Sequence, residues 1–257
     1  MTEFDIKERF LSAGIENAPW EARLLLENLS GKALADAVER RCAGYPLQYL
    51  IGEWGFYRET YEVSEDCLIP RSDTEILVEK AALLLPQNAK FLDLCTGSGC
   101  VAISTLCARP DTTAVAVELF EKTLALAMRN AQRNGVPDRI TGIEADVLSD
   151  PPAILAADSF DAILSNPPYI CENVMPTLQR EVKHEPWAAL CGGEDGLNFY
   201  RSILLKWRHL LKKDGFLLFE IGYDQAEALA ELGEKCGFSH TVWRDYGGND
   251  RVVLLKK

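Results

Sequence analysis

Apolar residues recur at helical spacing near the start of the chain. Ala22, Leu25, Leu26 and Leu29 fall on one face at intervals of three and four, and Ser30-Gly31 stops the run, which predicts a helix. Leu34, Ala37, Val38 and Arg41 repeat the pattern in a second helix. Gly44 and Pro46 break it, and residues 47–69, with aromatic and β-branched side chains around Gly52 and Gly55, read as a short hairpin rather than a helix. From Glu75 onward the period changes. Short apolar runs at 91–94, 114–117, 140–144, 162–164 and 216–221 alternate with amphipathic stretches such as 121–134 and 225–236. This alternation predicts an α/β domain with a mostly parallel sheet covered on both faces. Residues 241–243 and 252–255 are separated only by a loop, as a terminal antiparallel pair would be. The expected organisation is a small helical N-terminal domain with a hairpin linker over 1–72 and the α/β domain over 73–257.

Composition narrows the setting. A chain of 257 residues holds one sizeable α/β core and a smaller attachment, and 47% hydrophobic with 26% charged residues is the balance of a soluble globular enzyme. The 39 acidic against 27 basic residues, a net charge of −12, work against tight binding to a phosphate backbone, so no nucleic-acid substrate is expected. Eight cysteines without a Cys-x-x-Cys pair, and only His184, His209 and His240 as further ligands, read as reduced, mostly buried side chains of a cytoplasmic protein with no metal site. The first ten residues are charged throughout and no run approaches the roughly 18 apolar residues of a membrane span, so neither a signal peptide nor a membrane partner is expected.

The chemistry concentrates at strand ends. The strand at 91–94 runs directly into Cys95-Thr96-Gly97-Ser98-Gly99 and then into an apolar helix. Glycines at such a turn let backbone approach a ligand closely, and open α/β sheets bind theirs at the carboxyl edge of the strands. The next strand ends in Glu118, where a carboxylate would accept from both ribose hydroxyls of a nucleoside. Ala102 stands where the third glycine of Gly-x-Gly-x-x-Gly is permitted to vary, so spacing alone leaves NAD and S-adenosylmethionine both open. Asp146, after the strand at 140–144, is a candidate for the adenine amine, and equally an ordinary turn residue before Pro151-Pro152.

The strand at 160–165 ends in Asn166-Pro167-Pro168-Tyr169. Prolines fix φ, lack an N–H and restrict the residue before them, so these residues form a stiff extended loop. Stiffness aims a side chain and a backbone carbonyl together. This segment, with 93–99, resembles the class I methyltransferases that modify planar nitrogens. Pro46-Leu47-Gln48-Tyr49, residues 69–75, Glu185-Pro186, the Gly192-Gly193-x-Asp195-Gly196-Leu197 run, Tyr200-Arg201, Glu220-Ile221-Gly222 and Asp250-Arg251-Val252 further resemble the PrmC (HemK) family, the glutamine methyltransferases of class 1 peptide release factors.

That resemblance implies a Rossmann-like methyltransferase fold and S-adenosylmethionine as cofactor. It assigns the cofactor to Thr96, Gly97, Ser98, Gly99 and Glu118, alongside Cys95, Asp146 and Asn166 as neighbours of the same loop system. Cys95 replaces a common glycine, Glu118 the usual aspartate, and Val147 an aromatic found in some members, which directs the closest approach to Gly97 and Gly99. The resemblance also implies that the Asn166 side-chain oxygen and the Pro167 carbonyl each accept an N–H of the acceptor amide, with Pro168 and Tyr169 completing the substrate site and the Tyr169 ring against the flat amide. Lys183, His184 and Glu185 are read as loop architecture. The implied reaction is methylation of the glutamine in a Gly-Gly-Gln loop during translation termination, with the N-terminal helices docking the release factor. The competing reading within the same chemistry is methylation of an exocyclic base amine in nucleic acid, and from another class a catalytically silent binding module.

Overall fold

The computed structural model describes residues 1–257. Three helices, α1 (Glu3–Ser12), α2 (Ala18–Asn28) and α3 (Gly31–Cys42), pack together at the N-terminus. The first starts at a capping box, in which Thr2 Oγ1 accepts from Asp5 N and Asp5 returns the bond. Its helicity was not signalled by apolar spacing, because Ile6 and Phe10 are its only buried residues. Together with Ala22, Leu25, Leu34 and Val38 they form a small core of their own. Arg41 is buried in it and paired with Glu21 at 2.5 and 3.0 Å.

A short helix, α4 (Leu47–Ile51), follows, and only then the hairpin of β1 (Glu53–Phe56) and β2 (Glu59–Glu62). The hairpin expectation for 47–69 is therefore corrected at its start. Pro46 sits at the N-cap, where its fixed φ is harmless, and Gly52 ends the turn at φ 83°. Phe56 and Tyr61 of the hairpin enter the main core. Asn130 is fully buried and holds the hairpin down: it accepts from Glu62 N at 2.7 Å and donates to Glu62 O and Ser98 O.

The α/β part contains α5 (Glu75–Leu84), β3 (Lys90–Leu94), α6 (Cys100–Ala108), β4 (Thr113–Glu118), α7 (Glu121–Arg133), β5 (Ile140–Glu144), β6 (Phe160–Ser165), α8 (Trp187–Leu190), α9 (Asn198–Ser202), β7 (Leu211–Glu220), α10 (Ala226–Lys235), β8 (Ser239–Arg244) and β9 (Asp250–Lys256). The seven-stranded sheet has order β5-β4-β3-β6-β7-β9-β8. Pairing is parallel from β5 to β7, and β9 runs antiparallel to both β7 and β8, as the terminal spacing predicts. Alternation along each strand feeds two cores: Ala114 and Ala116 face one helical layer while Val115 and Val117 face the other. Strand order reverses between β3 and β6, so the carboxyl ends of β3, β4 and β6 open on one crevice. No helix is long and apolar enough to cross a membrane.

The eight cysteines are all free, but only Cys67 is buried and the other seven are partly exposed, which corrects the expectation of mostly buried thiols. They sit on loops, at helix ends and on the apolar α6, where a small side chain is tolerated at the edge of the core.

Candidate active site

The crevice is a cleft of about 920 Å³, including its open mouth. Cys95, Thr96, Gly97, Ser98, Glu118, Asp146, Val147, Asn166 and Pro168 line it, with Asp66, Arg71 and Thr74 from the segment before α5. Gly99, Pro167 and Tyr169 do not.

The loop after β3 turns through three left-handed positions, Cys95 (φ 60°), Gly97 (φ 56°) and Gly99 (φ 82°). The two glycines serve different ends. A Cβ on Gly97 would meet nothing within 4 Å, so its bare backbone faces open space in the cleft. A Cβ on Gly99 would lie 2.8 Å from Ile103 Cδ1 and 3.2 Å from Ala127 Cβ, so Gly99 is required where α6 packs on α7. Of the two glycines expected to approach a ligand, only Gly97 is exposed to one. Cys95 carries a side chain in a conformation that favours glycine, a strain of roughly 1–3 kcal/mol held by the surrounding fold.

Asp93 braces this loop from beneath, accepting from Thr96 Oγ1 at 2.6 Å and from Ala102 N at 3.2 Å. Burial pushes its carboxyl up to about 7. Glu118 closes the loop from β4: one oxygen accepts from Gly97 N at 3.0 Å, the other from Leu119 N and Phe120 N. Burial raises its pKa, and these three N–H groups oppose the shift. A carboxylate has about four acceptor positions, so at least one remains for a ligand. Ser98 Oγ is buried without a partner in the same loop. Asp146 spends its oxygens on Leu148 N and Ser149 Oγ, the turn role, while still lining the cleft.

At the end of β6, beside that loop, Asn166 Nδ2 donates to Thr74 Oγ1 at 3.2 Å. The residues after it are clasped by the glycine-rich run. Gly192 N donates to Ile170 O at 2.8 Å, Ile170 N to Leu190 O at 2.9 Å, and Gln225 Nε2 to Tyr169 O at 3.0 Å. A Cβ on Gly192 would meet Pro168 O and Tyr169 Cα at 2.7 Å, and one on Gly196 would meet Tyr169 O at 2.3 Å. The proline segment is stiff by composition and immobilised by this contact. Tyr169 lies partly buried against the sheet's second core, its hydroxyl 3.4 Å from Glu220 Oε1. Glu185 is architectural, as expected: it accepts from Ile69 N at 3.1 Å and pairs with Arg71.

Thr74, Gln225 and Glu220 were not singled out one by one from the sequence. Thr74 and Glu220 sit inside quoted motifs, but only the folded chain brings them to Asn166 and Tyr169 across 92 and 51 positions.

Comparison with known proteins agrees with this geometry. A model of the methyltransferase small domain matches residues 72–185. The release factor glutamine methyltransferase of Aquifex aeolicus is 35% identical over 92% of this chain and 83% of its own length. That of Salmonella typhimurium is 38% identical over 89% of this chain and 81% of its own. Among solved structures, a ribosomal protein L11 methylase from Lactobacillus delbrueckii covers 74% of this chain and 80% of its own at 17% identity, with a TM-score of 0.53, a likeness of fold.

Proposed function

Because the chain belongs to the release factor glutamine methyltransferases, we propose that it methylates the side-chain amide nitrogen of the Gly-Gly-Gln glutamine in a class 1 peptide release factor, with S-adenosylmethionine as donor. The observation that carries the reading is Asn166, held by Thr74 at the end of β6 and lining the same cleft as the Gly97 turn.

The cofactor fits the residues present. Gly97 offers bare backbone, Ser98 an unpartnered hydroxyl, Glu118 a buried carboxylate with acceptor capacity left, and Asp146 a carboxylate at the rim. When bound, S-adenosylmethionine supplies an electrophilic methyl on a sulfonium, already a good leaving group. The chain's own task is the acceptor. An amide nitrogen is a poor nucleophile because its lone pair is delocalised into the carbonyl, and no side chain removes its proton at neutral pH. Asn166 Oδ1 and the Pro167 carbonyl each accept one N–H, which orients the nitrogen and supports the positive charge that develops on it. Pro168 borders the cleft beside the amide, while Tyr169, expected to pack on it, lies outside the lining and steadies the segment against Glu220. As the N–C bond forms and the S–C bond breaks, one of the two N–H protons leaves to solvent and the other stays on the methylated amide.

The N-terminal helices, over roughly 1–72, are the docking module for the release factor in this reading, and the acidic surface disfavours nucleic acid as substrate. The chain works in the cytoplasm, where release factors act. The test supplies labelled cofactor to the enzyme with a purified class 1 release factor, its Gln→Ala variant, and mixed nucleic acid in parallel. Label confined to the first supports the assignment. Label in the nucleic acid, or in the Gln→Ala protein, overturns it.

A further inference from the structure

The residues matched to the cofactor so far are carboxylate acceptors, a neutral hydroxyl and bare backbone. S-adenosylmethionine also carries an α-carboxylate at the end of its methionine arm, and none of those groups offers it an opposite charge. Four acidic side chains line the cleft, Asp66, Asp93, Glu118 and Asp146, and an anion placed among them is repelled. Arg71 is the one basic side chain in the lining.

Its place along the cleft matches the end of the donor that carries the carboxylate. Glu118 ends β4 and Asp146 follows β5, so the proposed reading sets the adenosine toward that side of the sheet. The methyl has to meet Asn166, which follows β6, on the far side of β3 in the order β5-β4-β3-β6. The methionine arm, joined to the same sulfonium, therefore falls at the Asn166 end. Thr74 accepts from Asn166 Nδ2 at 3.2 Å, and Thr74 N donates to Arg71 O at 3.1 Å within a single turn, which sets Arg71 beside that end.

The guanidinium is anchored on one edge and open on the other. Nη2 donates to Glu185 Oε1, while Glu185 Oε2 accepts from Ile69 N at 3.1 Å, so a buried carboxylate is tied to the backbone just before the arginine and holds its side chain. The guanidinium makes no other hydrogen bond, and the Arg71 side chain is 38% exposed against 1% for Glu185. Five N–H donors in a planar fork are enough to serve a second carboxylate beside the first. We infer that Arg71 binds the α-carboxylate of S-adenosylmethionine, and that Glu185 is the positioning residue that leaves its free edge in the cleft. This deepens the reading of the cleft as an S-adenosylmethionine site and rests on it.

The test is calorimetry on the full-length protein with S-adenosylmethionine and with its decarboxylated analogue, which lacks only the α-carboxylate. Arg71→Met should lower the ratio of the two affinities about 10- to 100-fold, the scale of one charge-assisted hydrogen bond, by weakening S-adenosylmethionine while the analogue stays within about threefold. Because that substitution strands a buried carboxylate, the Arg71→Met/Glu185→Gln pair repeats the measurement in a chain with neither charge and should give the same ratio. Arg71→Lys should restore part of the preference, since a point charge replaces the fork. Glu185→Gln alone should reduce the preference with affinity for the analogue unchanged. If Arg71→Met loses the preference while the wild type fails to methylate release factor, the proposed substrate fails and the Arg71 assignment stands. Equal weakening of both ligands, or unchanged S-adenosylmethionine affinity with a raised KM for the release factor, would overturn the assignment.

Discussion

The Glu118 carboxylate accepts the Gly97 N–H at 3.0 Å, so the residue expected to bind a ribose also fixes the backbone of the turn that lines the cleft with Asn166. Two roles fall on one side chain. Glu118→Ala should weaken S-adenosylmethionine binding about 10- to 100-fold, the loss of a charge-assisted acceptor at roughly 1.5–3 kcal/mol. Calorimetry on Glu118→Gln should show a loss as well, because glutamine keeps only one accepting oxygen for backbone N–H groups that use both and no longer carries charge. Unchanged affinity in Glu118→Ala would remove it from the cofactor site.

Asn166→Ala should divide binding from turnover. Loss of a preorganised acceptor in the transition state costs on the order of a hundred- to a thousandfold in rate, while cofactor affinity should stay within a few fold. Single-turnover kinetics beside equilibrium binding measures both. Equal losses would mean that Asn166 mainly holds the cofactor.

Stability should fall as pH rises from about 5 to about 7. Glu220 and Asp93 both have folded pKa values near 7, above their unfolded values. Their protonated forms favour the fold, so this contribution is full below about pH 4 and is lost as pH climbs through 7. Asp195, held at about 2 by Arg201, acts oppositely and loses its contribution only in strong acid. Thermal melts of the wild type should therefore give a higher Tm at pH 5.5 than at pH 7.5, with a smaller difference in Glu220→Gln. An identical slope in the variant would show that Glu220 does not titrate in this range.

Arg41 ties the N-terminal helices inward to Glu21 and outward to Glu181 at 3.0 Å, beyond β6. Arg41→Ala leaves Glu21 buried and unpaired, which costs about 3–5 kcal/mol. Hydrogen exchange should show α1 to α3 opening while β3 to β7 stay protected. The Michaelis constant for the release factor should rise, with S-adenosylmethionine affinity unchanged. Uniform loss of protection would make the helices an inseparable part of the sheet domain.

Much of this was legible in the sequence because it is local. The run at 114–117 is apolar without interruption and that at 91–94 is broken only by Asp93, as doubly covered strands nearly are, and the Asn166 to Tyr169 segment advertises its stiffness through two prolines. The α1 helix was missed because its two buried residues are too few to set a period, and its capping box alone carried the signal. The short α4 was missed because aromatic residues around Gly52 and Gly55 favour strand, while the packing of Leu47 overrides them. Gly97 and Gly99 look alike in sequence, and only their neighbours in space separate a ligand-facing glycine from one required for helix packing. Glu220 stands in a recognisable motif, but its burial and its contact with Tyr169 emerge only when β7 folds.

The clasp on Tyr169 also sets an order of assembly. Of the residues that would cradle the donor, those from Arg71 to Val147 are synthesised first. The acceptor wall is not, since Gly192, Gly196, Glu220 and Gln225, which hold the proline segment, come last. A nascent chain halted near residue 180 therefore exposes Pro168 and Tyr169 without their supports. The early-encoded turn after β3 is thus made well before the supports of the proline segment, which is held in place only when the final quarter of the chain has folded back upon it.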